Sequence, residues 1–565
     1  MLPKKVALDI SFTTSFLSDK CSDHERSTLG LLQYASGASW DSSQVCHAGT
    51  RVNILNEIME FLRAPADKIL SLRIVLLTGV VGCGKTAIAH TVAKNCADNQ
   101  CRMLGSSFFF SCEVDERRRP DKLFSTISRD ICDRDSIFRA SVCSAIEEER
   151  ALACAPMPRQ FSELVLKPAK DASQRRTHPL TILIDALDEG FNEDLLRILE
   201  ESAALVPAEF RFLITTRSEA PIILRLRKLR HIALKEINIR DNVNCEDVKI
   251  FVAHRLNDIA RNHDIENWLD DNLITRFNRH AEGLFIWAAT VCNHVNICPS
   301  PVEDLDDLLN DRGLLDPQAT EKMNKLYAKI LSKCPWSNRH FMERYELCLG
   351  VVIALKRPLS IPSIEKFLKD EDAGTAFRPL SSLLIGALSR DQPVQIAHST
   401  LRDYITCNRG GRYADARFAI SEVDHSRRLA LRCIVALNSE LPRLHNSVAS
   451  VFNEKRDVAN IPILKDSDLA EHVWYACQHW IDHIQDVESP SDKLCESLAQ
   501  FLDKCFLTWI AVGAARGKYI RIGKFYAWFK VLPKSSRLYR QFANATSAGL
   551  EAGAPPSCPG PNCSV

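Results

Sequence analysis

Five short apolar runs, at residues 74–79, 107–111, 180–186, 211–216 and 232–237, punctuate the first part of the chain. Each has strand length and strand composition, and helix-prone segments lie between most of them. That alternation predicts a parallel sheet flanked by helices. Residues 1 to about 45 are Ser- and Thr-rich in places and lack a strong period. They read as an arm with one short helix near residues 31–35. After residue 240 the strand signal fades. Val248, Val252, Leu256 and Ile259 fall at helical spacing, as do Met323, Leu326, Tyr327, Ile330 and Leu331. Between residues 350 and 406, helices lead into a turn at 391–393 and a short run at 394–397, the order expected of a winged helix. Residues 425–530 read as helical again, with a charged interruption near 488–493. The last stretch, 552–565, is rich in Pro, Gly and Ser and is expected to be disordered. No repeat of roughly 20–50 residues is visible.

The chemistry concentrates where the first run ends. Gly79-Val80-Val81-Gly82-Cys83-Gly84-Lys85-Thr86 fits G-x-x-x-x-G-K-[ST]. A phosphate chain has to be wrapped by backbone N–H groups, and side chains at 79, 82 and 84 would block the approach. Lys85 supplies a point charge for the β- and γ-phosphates. Thr86 offers a hydroxyl to Mg²⁺, and with Ala87 it opens a helix whose dipole favours the anion. A second apolar run ends in Asp185, followed by Ala186-Leu187-Asp188-Glu189. A buried strand ending in a carboxylate is how a P-loop protein reaches its Mg²⁺. Asp188 and Glu189 stand where a base would orient an attacking water, and the sequence does not separate them. Arg217 closes the next run and is placed to read a γ-phosphate.

Composition changes this picture little. The chain has 565 residues, room for about three to five compact units. Lys plus Arg is 72 against 71 for Asp plus Glu, so no overall field attracts a polyanion, and nucleic acid is not an expected partner. Cysteine is plentiful, at 21, but no Cys-x-x-Cys occurs, which reads as buried free thiols in a reducing compartment. No apolar run approaches the roughly 18–20 residues of a membrane helix. The expectation is a soluble cytoplasmic protein without a membrane partner.

With those residues in place, the chain resembles the NACHT group of STAND nucleotide switches, in particular its fungal members. Cys46-His47-Ala48-Gly49-Thr50-Arg51 resembles the Gly-Thr-Arg element that in the family helps hold the base, which implies roles for Thr50 and Arg51. Phe108-Phe109-Phe110-Ser111 resembles the second strand. Ala186, Asp188 and Glu189 match the family's small-residue-then-acid form of the Mg²⁺ strand. Residues 281–288 resemble the helical-lid motif, and Ala397-His398-Ser399 with Leu401, Asp403 and Tyr404 resembles the winged-helix histidine motif. The resemblance spans roughly residues 40–515, judged by motif order. It implies an α/β P-loop domain with a five-stranded parallel sheet, followed by mostly α domains including a winged helix. The boundaries are an arm at 1–45, a NACHT nucleotide-binding domain at 46–237 and a helical domain at 238–312. A winged helix at 313–408, a helical domain at 409–545 and a disordered tail at 546–565 follow. Cys112 stands where many fungal relatives carry Arg, and Ser399 follows His398 in place of the acid of the plant-like form.

What the resemblance implies functionally is a slow nucleoside triphosphatase used as a switch. A diphosphate, ADP or GDP, is held with His398 donating to its β-phosphate. Exchange for ATP or GTP with Mg²⁺ engages Arg217, opens the chain and promotes homo-oligomerisation, with protein partners unknown. Two alternatives remain: a shortened, non-hydrolysing scaffold that regulates full-length relatives, and another P-loop ATPase such as a motor or small-molecule kinase. Other constellations weigh less. His472, Cys477, His479 and His483 cluster on one predicted helix, but the spacing is not that of a zinc finger. Glu116-Arg117-Arg118-Arg119 reads as a solvated loop, and Cys558 and Cys563 as tail cysteines. Cys83 is the one thiol whose oxidation would crowd the phosphates.

Overall fold

In the computed structural model the apolar runs form strands β1 (Ile74–Gly79), β2 (Leu104–Phe109), β3 (Leu180–Asp185), β4 (Phe210–Arg217) and β5 (Ile232–Ile237). They pair in parallel in the order β2-β3-β4-β1-β5. The residues described are 21–69, 71–98, 101–176, 178–218, 222–310, 318–369, 372–406, 415–448, 464, 468–516 and 522–531. The expected α/β architecture with a helical remainder is therefore the one observed. Every residue of β1, β2 and β3 is buried, as both faces of a parallel sheet are covered. The period of two sorts them. Ile74, Leu76, Phe108, Ile182 and Ile184 face one apolar cluster, and Val75, Leu77, Phe109 and Leu183 face the other.

Helix α1 (Asp23–Leu29) departs from the expected position at 31–35. A capping box of Ser22 and Glu25 starts it early and Gly30 ends it, so the polar signal at its start outweighed the apolar one downstream. Leu32, Ala35 and Ala38 are instead core residues outside any helix, and the Phe109 N–H donates to the Ala38 carbonyl. Strand β2 begins three residues before the expected run and stops two earlier. Its buried serines have partners: Ser106 Oγ donates to Asp130 at 2.6 Å, and Ser107 Oγ accepts from the Trp40 N–H at 3.1 Å. Hydroxyls satisfied in this way let polar residues occupy a central strand.

Helices α2 (Val52–Arg63) and α3 (Lys85–Ala97) cover one face of the sheet. Helices α4 (Leu123–Cys132) and α5 (Ser136–Glu148) contribute to the other. After the sheet come α6 (Asn242–Asn262), α7 (Asp271–Ala281) and α8 (Phe285–Ile297). Val248, Val252, Leu256 and Ile259 are buried along α6, as their spacing predicts.

The chain divides into two compact units, residues 1–260 with 266–288 and residues 261–265 with 289–565. In the second, α9 (Pro301–Leu309), α10 (Ala319–Ser332), α11 (Arg339–Ala354) and α12 (Ile361–Phe367) surround three short antiparallel strands, β6 (Leu359–Ser360), β7 (Leu384–Ile385) and β8 (Pro393–Ile396), in the order β6-β8-β7. Helices α13 (Ser399–Thr406), α14 (Glu422–Val448), α15 (Glu471–Ile484), α16 (Asp492–Lys504) and α17 (Phe506–Ala515) follow. The histidine cluster of α15 is core structure. His483 lies between Ser426 Oγ at 2.8 Å and Tyr475 OH at 2.7 Å, while His479 pairs with Asp482. The cysteines among the described residues are free thiols, and of these only Cys154 is exposed. Among the described residues no single helix is long and apolar enough to cross a membrane. The tail at 546–565, with Cys558 and Cys563, lies outside the described residues.

Candidate functional site

The loop from Gly79 to Thr86 leaves β1 and turns directly into α3. Gly82 and Gly84 have φ of +74° and +94°, left-handed values that L side chains adopt at a cost. Successive backbone amides in such a loop form an anion-binding concavity at a helix N-terminus. Gly79 is needed for a different reason: a Cβ there would lie 2.7 Å from Cys83 Sγ. Lys85 Nζ lies over the loop, donating to the carbonyls of Gly79 at 2.8 Å and Val80 at 3.0 Å. Cys83 is fully buried beneath it, which shields the thiol. Ala87 follows in the first turn of α3, and its carbonyl accepts from Thr91 Oγ1.

The Thr86 hydroxyl donates to Asp185 Oδ2 at 2.9 Å across 99 residues of sequence. Asp185 Oδ1 accepts from Thr215 Oγ1 at 2.6 Å, a partner in β4 that the sequence reading missed. Burial pushes the Asp185 carboxyl above its ordinary value, opposed by those two hydroxyls and by Lys85. A serine- or threonine-type hydroxyl and a strand-end carboxylate at this separation fit the donor set of an octahedral Mg²⁺, which takes few protein oxygens and keeps several waters.

Ala186 has φ of +55°, a left-handed turn that favours a small side chain and swings the next residues back over the sheet edge. Asp188 then meets Arg217 twice. Its Oδ1 accepts from the Arg217 backbone N–H at 3.0 Å and its Oδ2 pairs with Nε at 2.9 Å. Glu189 lies 3.5 Å from Arg217 Nη2, and its Oε2 accepts from the Cys112 N–H at 3.2 Å. Burial, with Asp188 beside it, raises the Glu189 carboxyl. The register that puts Gly79 opposite Arg217 brings all these groups to one end of the sheet. The run at 116–119 is not the solvated loop expected. Residues Asp115–Arg118 form a single helical turn, with the Ser111 N–H donating to the Arg117 carbonyl. Only Arg118 and Arg119 are exposed; Arg117 turns inward, its Nε buried. The missed signal was the residue order at the end of β2, which folds back on itself.

Thr50 and Arg51 stand immediately before α2, and Arg51 reaches the loop. Thr50 Oγ1 donates to the His47 carbonyl at 2.7 Å. Arg51, at φ +61°, donates through Nη2 to the Cys83 carbonyl at 2.5 Å, while its backbone N–H donates to Asp247 at 3.0 Å. The guanidinium lies 4.6 Å from the Phe285 ring centroid. Next to Phe285, the Ile286 N–H donates to the Gly82 carbonyl at 3.0 Å, so the first turn of α8 rests on the phosphate loop. Asp247, Phe285 and Ile286 were not singled out individually by spacing, because their roles arise only when α6 and α8 fold over the sheet. His398 belongs to the second unit, at the start of α13. Its Nδ1 lies 2.8 Å from Thr400 Oγ1 and 3.2 Å from the Thr400 backbone nitrogen.

Residues 56–217 match the family described as Nephrocystin 3, N-terminal. Over 371 residues the chain is 22% identical to the vegetative incompatibility protein HET-E-1 of Podospora anserina, covering 60% of this chain and 26% of that protein. The chain thus spans about a quarter of that relative's length. Among solved structures, that of C. elegans PCH-2 matches with a TM-score of 0.26 and 14% identity, over 47% of this chain and 70% of that one.

Proposed function

We propose that this chain, a fungal NACHT-type NLR-like protein, is a slow nucleoside triphosphatase that acts as a signalling switch. The observation that carries the reading is the contact of Thr86 with Asp185 beside a glycine loop over which Lys85 lies. Amides of residues 82–87 would bind the phosphates of ATP or GTP, with Lys85 on the β/γ side. Thr86 and Asp185 would hold Mg²⁺, directly and through water. When bound, the ion neutralises charge on the transferred phosphoryl group. Arg217, oriented by Asp188, reads the γ-phosphate. Glu189, with its raised carboxyl, is the better base, since both Asp188 oxygens are engaged by Arg217.

The short antiparallel strands and helices before α13 are read as a winged helix, and His398 as the donor to a bound diphosphate. Exchange for triphosphate would release that latch and permit self-association. The test is to identify nucleotide extracted from purified protein and to weigh the particle with di- and triphosphate. A retained diphosphate, lost in Lys85→Ala, and a larger particle with triphosphate are expected. Wild-type protein that binds neither nucleotide sinks the reading. The engagement of both acids by Arg217 also favours a second reading, a scaffold that holds nucleotide without turning it over. Steady-state turnover of the wild type that is abolished in Glu189→Gln would exclude it.

A further inference from the structure

The end of α8 and the start of α9 bring together an imidazole, a thiol and a carboxylate. One ligand atom each from His294, Cys298 and Asp304 lies within 4.8 Å of the other two. His294 is in the last turn of α8, and Cys298 follows its end, with its N–H donating to the Val295 carbonyl at 3.2 Å. His294 Nε2 is 3.6 Å from Cys298 Sγ. A tetrahedral zinc with N at about 2.0–2.1 Å and S at about 2.3 Å would hold the two about 3.5 Å apart. The pair is therefore already at the separation that ion would set.

The surroundings aim the ligands as metal sites do. The other imidazole nitrogen, Nδ1, is 3.4 Å from Ser382 Oγ, which turns Nε2 toward the thiol. Lys333 Nζ is 2.6 Å from Asp304 Oδ1 and 3.1 Å from Asp307, and so fixes the carboxylate from outside the cluster. His294 is only 7% exposed, so its imidazole is held in place by the surrounding core. Exposed acids often gather without an ion. A buried imidazole facing a thiol is a different donor set, and a softer one than Mg²⁺ or Ca²⁺ selects.

We propose that His294, Cys298 and Asp304 bind one Zn²⁺, with water as fourth ligand, and that the ion staples the C-terminal end of α8 to the first turn of α9. The Cys298 thiol proton passes to solvent as the thiolate coordinates. The site uses no residue of the nucleotide pocket and stands apart from that reading.

The test is a Co²⁺ titration of the metal-stripped full chain, followed by Zn²⁺ competition. Wild type should take up one Co²⁺ per chain with a thiolate-to-cobalt charge-transfer band that Zn²⁺ abolishes. Cys298→Ser should lose the band, and Asp304→Asn and Ser382→Ala should each weaken binding by about tenfold or more. No band in wild type, or an equal band in Cys298→Ser, would overturn the site. Should Cys298→Ser fail to fold, Asp304→Asn decides: unchanged Co²⁺ affinity there overturns it as well.

Discussion

Asp185 shows at the scale of one residue how the candidate site trades stability for chemistry. Its two oxygens accept only hydroxyl hydrogen bonds, from Thr86 and Thr215, and burial holds its carboxyl above the ordinary 3.8. A carboxyl whose folded value is raised binds its proton more tightly in the native state. Its stabilising contribution is present below the unfolded value and is lost as pH rises through the folded one. Asp185→Asn should therefore raise the melting temperature at pH 8. The gain should shrink as pH falls toward 3.8. A melting temperature lowered at pH 8 would contradict the burial argument. The same variant should lose Mg²⁺-dependent nucleotide binding. Glu189→Gln should keep nucleotide affinity and lower turnover by about 10²–10⁴, the range for a lost general base. If single-turnover rates instead fall only in Asp188→Asn, the base is Asp188. The acids were legible from their place after an apolar run. Thr215 and Arg117 were not, because a hydroxyl in a strand and an arginine in a charged run take their roles from what they pack against.

Elements meet at the contact of the phosphate loop with α8. A Cβ on Gly82 would lie 1.9 Å from Ile286 Cγ2, and Gly82 already has a left-handed φ. Two penalties are thus stacked at one position, a clash and roughly 1–2 kcal/mol for the backbone. Gly82→Ala should lower the melting temperature and loosen α8 from the loop, read as faster amide exchange at the Ile286 N–H. Adding Ile286→Ala removes the contact at Cγ2 but leaves Ile286 Cβ at 2.7 Å, so it should recover part of the clash and none of the backbone cost. Full recovery, or none, would show that the contact is not what Gly82 serves. The glycine pattern made the loop readable in sequence. That the lid motif rests on it was not, since nothing in the residues 281–288 states which surface they cover.

Two compact units make the whole molecule a candidate for two unfolding transitions. A ligand raises the stability only of the unit that binds it, by about 2.7 kcal/mol at a hundredfold excess over Kd. Triphosphate with Mg²⁺ should therefore raise the transition of the unit carrying Lys85. If His398 also contacts diphosphate, that nucleotide should raise both transitions, and His398→Ala should leave only the first one shifted. Denaturation followed by calorimetry or by residue-resolved exchange distinguishes these outcomes. Diphosphate that moves only one transition in the wild type removes the latch.

Sequence alone determined the elements whose signals are local. Binary pattern placed β1 and β5, and the helices around Val248–Ile259 and Met323–Leu331, because periodicity of apolar residues is dictated by backbone geometry. The glycine-lysine loop was equally local, since amide wrapping needs consecutive residues. Tertiary structure decided what depends on distance. It pinned Thr86 to Asp185, tied Arg217 to Asp188, turned Arg117 inward and laid Ile286 on Gly82. Each of these joins segments that only sheet order and helix packing bring together, and no neighbouring residue encodes its partner.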